Sequence, residues 1–153
     1  MKDPHLEIER KFLVREMPRG LEQLPHREIE QGYLVVSKKA QVRLRRYGRH
    51  YVLTFKRDAK VGREEREMKL TAQQFALLWP ATTGARLTKI RYDAPWRKLK
   101  IEIDVYRGSN TGLVVAEVEF PDQATAQKFS PPVWLGAEIT GVRRYSNIGL
   151  ARD

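Results

Sequence analysis

Like charges recur two residues apart along this chain, and that spacing constrains the fold more than any other feature. Glu7 and Glu9, Arg43 and Arg45, Glu65 and Glu67, Lys89 and Arg91, Glu102 and Asp104, and Glu117 and Glu119 each stand at i and i+2. In a strand such positions share one face; on a helix they diverge. The residues between them are mostly apolar, as at Ile8, Leu44, Ile90, Ile103 and Val118. Thr54 and Lys56 repeat the pattern around Phe55, and Lys100 extends the row of Glu102 and Asp104. A sheet with one wet face explains most alternation of this kind. It explains these pairs poorly, because like charges on one face repel, and more strongly as water is excluded.

The rest of the chain reads as strands with a few helices. His5–Val14, Gln31–Ser37, Gln41–Tyr47, His50–Arg57, Gly62–Leu70, Ala85–Tyr92, Lys98–Tyr106 and Leu113–Phe120 have strand periodicity, which predicts eight strands. Gly48-Arg49 is a hairpin turn signal. Thr71–Trp79 begins with a good N-cap and stops at Pro80, and Asp122–Phe129 stops before Ser130-Pro131-Pro132. Pro18–Leu24 and Tyr145–Ala151 predict short helical pieces. With 153 residues, no repeat and no linker, the chain predicts one domain over 1–153.

Composition narrows the function. A net charge of +10 points to an anionic partner: nucleic acid, a phosphate compound or an acidic membrane surface. The absence of cysteine excludes a thiol nucleophile and cysteine ligation of zinc or iron–sulfur clusters. The N-terminus has no apolar signal core, and no apolar run approaches a membrane span, so a cytoplasmic protein without membrane contact is expected.

Clustered carboxylates suit a hard divalent cation such as Mg²⁺ or Mn²⁺. Clustered Arg and Lys suit phosphate oxygens, with Arg supplying a planar fork and Lys a point charge. Together they describe one ligand: a compound of several phosphates carrying one or two metal ions. A barrel with charges inward and aliphatic residues outward, under the helices, would gather them. This inverts the usual small barrel.

Glu7-Ile-Glu-Arg-Lys11 is an ExExK motif. Gln31-Gly-Tyr-Leu34, Val42-Arg-Leu-Arg45, Thr54-Phe-Lys56, Glu65-Arg-Glu67, Lys89-Ile-Arg-Tyr92, Glu102-Ile-Asp104, Glu117-Val-Glu119 and Arg143-Arg-Tyr-Ser-Asn147 follow in order. In this the chain resembles the CYTH superfamily, the triphosphate tunnel metalloenzymes, and in particular its short bacterial members. The resemblance implies a mainly β (α+β) fold: an eight-stranded antiparallel closed barrel, or tunnel, with a charged interior and a few helices outside. It also implies hydrolysis of a small triphosphate with Mg²⁺ or Mn²⁺. Glu7, Glu9, Glu117 and Glu119 would be metal ligands. Lys11, Arg43, Arg45, Lys56, Lys89 and Arg91 would grip phosphates, with Arg144 and Arg143 closing the site from the C-terminal segment. Lys89, Glu65, Glu67, Glu102 and Asp104 would complete the catalytic set, the acids near a second metal or the attacking water.

Within the resemblance, inorganic tripolyphosphate is the expected substrate. Thiamine triphosphate, nucleoside triphosphates and cyclisation of ATP, as in class IV adenylate cyclases, are the alternatives. A polyphosphate- or nucleic-acid-binding module without turnover is an alternative of another class. The acidic pairs count against it, because carboxylates in a phosphate-binding face repel the ligand unless a metal intervenes, so no nucleic-acid partner is expected. The oligomeric state is left open, a homodimer among the options. Trp79, Trp96 and Trp134 are expected to pack, the three histidines to lie on the surface, and Arg10, Arg15, Arg46, Arg66, Arg97 and Arg107 to be solvated. Lys69 and Lys100 are expected at the rim.

Overall fold

The computed structural model describes residues 3–152. Their order is β1 (Leu6–Glu7), β2 (Glu9–Val14), β3 (His26–Val36), β4 (Ala40–Tyr47), β5 (His50–Asp58), β6 (Arg63–Leu70), α1 (Ala72–Leu78), β7 (Arg86–Trp96), β8 (Leu99–Tyr106), β9 (Val114–Glu119), α2 (Gln123–Lys128), β10 (Leu135–Glu138) and α3 (Asn147–Arg152). Short 3₁₀ turns lie at Leu21–Gln23, Trp79–Thr82, Gly108–Asn110 and Arg143–Tyr145.

The strands form one antiparallel sheet in the order β1-β6-β5-β4-β3-β7-β8-β9-β2-β10. This corrects the expectation of an eight-stranded closed barrel: among the described residues there are ten strands, and the ladder does not close. The reason is local. The predicted strand His5–Val14 changes partner at Ile8: Leu6 and Glu7 pair with β6, whereas Glu9–Leu13 pair with β9. Ile8 sends its carbonyl to Phe120 N–H at 2.8 Å and buries its side chain in the outer core. The two flanks of the sheet therefore meet on one stretch of chain, separated by a single residue, and the sheet is strongly curled. Gly62, with φ +70°, permits this approach, since a Cβ there would collide with the Glu7 carbonyl. The tenth strand, β10, is four residues with one glycine, too short for a periodicity to show.

The caps match their sequence signals. Thr71 and Gln74 form a reciprocal capping box on α1, and Asp122 accepts from Thr125 N–H on α2. Gly48, at φ 59°, starts the two-residue turn between Tyr47 and His50.

The strand parity holds. Ile8, Phe12, Ile101, Ile103, Ala116, Val118 and Phe120 form the outer core, covered by Leu21, Ala126, Phe129, Trp134 and Leu135. A second cluster has the opposite parity. Tyr33, Leu87, Tyr106 and Val115 project from the charged side of their strands and pack against Ile139, Leu150 and Ala151 of the C-terminal segment. The inner face is thus charged along most of its length and apolar where α3 covers it.

Arg10 departs from the solvated reading. Its guanidinium binds Glu138 at 2.6 Å and the carbonyl of Ala126 at 2.8 Å, tying β2 to β10 and α2. No helix of the described residues is long and apolar enough to cross a membrane.

Candidate active site

The curled inner face encloses a cavity of about 620 Å³. Glu7, Glu9, Lys11, Arg43, Arg45, Lys56, Glu65, Glu67, Arg91, Glu102, Glu117, Glu119 and Arg143 line it, all residues singled out by the charge pairs or the motif order. A smaller adjoining cavity of about 320 Å³ shares Arg27, Arg45 and Glu67 and adds Tyr47, Val52 and Thr54.

Three assigned residues stand elsewhere. Lys89 and Asp104 are fully buried and do not line the cavity; they lie behind Arg91. Arg144 is exposed, with its guanidinium stacked 4.8 Å over the ring of Tyr145. Lys100 stands at the rim as expected, 3.8 Å from Asp93 and Glu102. Arg27, Gln41 and Arg63 line the cavity without an assignment from the sequence, and Gln31, fully buried and outside the lining, holds Arg45. Arg27 lies in the first half of β3, which begins at His26 rather than at the expected Gln31. Gln31 and Gln41 have the inward parity but no charge, and Arg63 was not paired with Glu65.

The cations are held in two ways. Arg91 spends its fork on acids: Nε on Asp104 Oδ1 at 2.7 Å, Nη2 on Asp104 Oδ2 at 2.8 Å, Nη1 on Glu102 at 3.2 Å, and Nη2 on Glu117 at 3.3 Å. Lys89 Nζ donates to Asp104 Oδ2 at 2.6 Å. Lys56 lies 3.1 Å from Glu7 and 3.0 Å from Glu65. Lys11 donates to the Tyr145 carbonyl at 2.6 Å and sits 3.7 Å from Glu117. Arg45 has no acid among its bonded partners; both its Nε and Nη2 bind Gln31 Oε1, at 3.2 and 3.0 Å. Arg43 Nε and Thr54 Oγ1, on paired positions of β4 and β5, are buried without hydrogen-bond partners. A buried polar atom without a partner is costly.

The carboxylates split likewise. Burial pushes Glu7 up to about 9, helped by its hydrogen bond with Glu65 and by the charge of Glu9 and opposed by Lys56. Burial and the charge of Glu117 also push Glu9 up. Glu65 is held well below the usual range: burial acts upward but is outweighed by hydrogen bonds from Glu7 and Glu67 and by Lys56. For Glu117, burial is outweighed by Arg91 and Lys11, and the result is about 2. Asp104 is held low in the same way by Arg91 and Lys89.

Because Glu117 and Asp104 titrate lower when folded than when unfolded, the stability they contribute is complete above the ordinary carboxylate range. It is lost as pH falls through about 2 for Glu117. In EDTA, the urea midpoint is expected to fall between about pH 5 and about pH 2, and less steeply in Glu117→Gln. Equal slopes in the two proteins would show that Glu117 carries no such linkage.

Among the described residues no three His, Cys, Asp or Glu side chains converge as a ready-made metal cage. The donor set nevertheless fits a hard cation. Glu7, Glu9 and Glu117 offer only oxygen, Glu9 faces Glu119 across the β2–β9 ladder, and the mutual repulsion of these acids is what a divalent ion relieves.

A curled antiparallel sheet whose interior gathers Arg and Lys side chains beside paired acids has the make-up of a site for a polyanion. The comparisons agree. The CYTH domain family model matches residues 5–130, and the chain belongs to the CYTH family. An inorganic triphosphatase of Nitrosomonas europaea is 42% identical over 95% of this chain and 96% of its own. An inorganic triphosphatase of Acetivibrio thermocellus is 30% identical over 96% of this chain and 94% of its own. A crystal structure of an inorganic triphosphatase, 40% identical, superposes with a TM-score of 0.71 over 96% of this chain and 95% of that one.

Proposed function

We propose that this protein hydrolyses inorganic tripolyphosphate to pyrophosphate and phosphate in a reaction dependent on Mg²⁺ or Mn²⁺. The observation that carries this reading is a cavity that joins cations without a bonded acid, Arg43 and Arg45, to carboxylates pushed up first of all by burial, Glu7 and Glu9. The names of the two relatives support it. In this reading Arg43, Arg45, Lys56, Lys11 and Arg91 hold the phosphates, and Arg143 reaches the same space from the C-terminal segment. Lys89 and Asp104 act from behind Arg91 and fix its fork. Glu7, Glu9 and Glu117 would hold the cation, with Glu119 at the exposed rim. When bound, that cation would offset phosphate charge and acidify water.

Water attacks the terminal phosphorus, and the bond to the bridging oxygen breaks. The cavity's guanidinium and ammonium groups face the oxygens on which charge collects. Glu67 is placed to take the water's proton. Its hydrogen bond with Glu65, then burial, push it up, and it stands exposed to the cavity. Glu65 stands beside it as an orienting acid, and Glu102 lines the same cavity.

Phosphate release from tripolyphosphate, ATP and thiamine triphosphate, each with Mg²⁺, Mn²⁺ or EDTA, tests this. Metal-dependent release from tripolyphosphate above the other two is expected. Release in EDTA, or none with either metal, overturns it. Arg43→Ala removes a charged donor worth about 1.5–3 kcal/mol, so KM is expected to rise about 10- to 100-fold. An unchanged KM would remove Arg43 from the phosphate site.

A further inference from the structure

Gln31 is fully buried in the middle of β3, opposite Arg45 on β4 and Leu87 on β7. Its Oε1 accepts both Nε and Nη2 of Arg45, and its Nε2 donates to the Tyr33 hydroxyl at 3.3 Å. The amide orientation is therefore fixed from both ends. A carboxylate would serve the same two donors at least as well, since charge-assisted bonds are shorter and stronger. Acids hold several other cations of the site: Asp104, Glu102 and Glu117 hold Arg91, Asp104 holds Lys89 behind it, Glu7 and Glu65 hold Lys56, and Glu117 stands beside Lys11. At Arg45 the holder is a neutral amide. It is also electrostatically awkward, because Arg45 lies in the field of Arg43 and Arg91, which adds to burial in disfavouring its charge and is offset only in part by the more distant charges of Asp104 and Glu67.

We propose that Gln31 is a positioning residue that orients the Arg45 guanidinium without cancelling its charge, and so sets the affinity of the cavity for a phosphate chain. This rests on the triphosphate reading above. It assigns the two arginine sites different work. Arg91 arrives with its charge offset by three acids and is fixed in direction. Arg45 is fixed in direction with its charge left over, and that surplus is what an anion neutralises on entry.

Gln31→Glu separates this from a merely structural role. Glutamate has the same shape and makes the same bonds to Arg45, so a structural role predicts normal function. The proposal predicts that Kd and KM for tripolyphosphate rise about tenfold or more, because one surplus charge is lost inside a poorly screened cavity. The kcat is expected to stay within about threefold and the thermal midpoint to hold or rise. Calorimetry of tripolyphosphate binding, with and without Mg²⁺, and steady-state kinetics supply the readouts. A Kd and KM within about twofold of the native values overturn the proposal. Should Gln31→Glu not fold, Gln31→Met decides. It keeps the Arg45 charge and deletes the acceptor, together with the weaker Nε2 bond to Tyr33, so KM rises about fivefold or more; an unchanged KM overturns the proposal. If the native protein binds tripolyphosphate but does not cleave it, the hydrolase reading fails, and the Kd comparison still judges Gln31. If it binds none, both fall.

Discussion

Glu9→Gln is expected to make the metal-free protein more heat-stable and to abolish its turnover. Glu9 is half-buried, in the field of Glu117 and within hydrogen-bonding contact of Glu7, and desolvation heads the causes that push its carboxyl up. An amide of the same shape removes one charge from that crowd and keeps a hydrogen-bonding group in place. The folded state therefore gains on substitution, and the thermal midpoint in EDTA should rise. Activity should move the other way. Even the outer partners of metal ligands cost about 10- to 100-fold when removed, so loss of a direct ligand should cost more than about 100-fold. The native midpoint should also climb when Mg²⁺ or Mn²⁺ is added, and that climb should shrink in Glu9→Gln. A variant that is less stable and equally active would overturn the metal-ligand role. Strain of this sort is expected at a functional site, where like charges are held together for a ligand that offsets them.

Asp104→Ala is expected to give the largest loss of stability in the site. Asp104 is fully buried and receives three charged hydrogen bonds, two from Arg91 and one from Lys89. Removing it leaves two buried cations short of their counter-charge. Breaking a buried pair in this way costs about 3–5 kcal/mol, or about 6–20 °C in midpoint for a chain of this length. Lys89→Met should cost less, because Asp104 keeps Arg91 and one buried cation disappears. The same Asp104 variant should lose about 100-fold in kcat/KM, since Arg91 is no longer aimed and a misplacement of about 1 Å suffices for that. Circular-dichroism melts of the two variants and phosphate release at a temperature below both midpoints separate the effects. An Asp104→Ala protein that melts with the native one would remove the brace from this account, and full activity would remove its link to Arg91.

The i, i+2 charge pairs were enough to place strands, face and ligand chemistry. That follows from the two-residue period of a strand: parity is a local property, and Arg43, Arg45, Glu65, Glu67, Glu117 and Glu119 reach the cavity because each lies on the charged side of its own strand. The cap signals at Thr71 and Asp122 are local for the same reason. What parity does not contain is depth along the strand and the identity of the neighbouring strand. Lys89 and Asp104 share their strands' inner face with Arg91 and Glu102, yet the curl of the sheet leaves them behind the cavity, paired with each other. Tyr33, Leu87, Tyr106 and Val115 also share that face, and α3 turns their end of it into apolar core. Nor could a single strand reveal that Ile8 is where the chain changes partner from β6 to β9, since that switch is made by the distance between two flanks of a twisted sheet. Sequence alone determined which residues are charged toward the inside. Only the tertiary structure decided which of those charges meet an acid, which meet a neutral amide, and which are left for a ligand, because that depends on register between strands far apart in the chain.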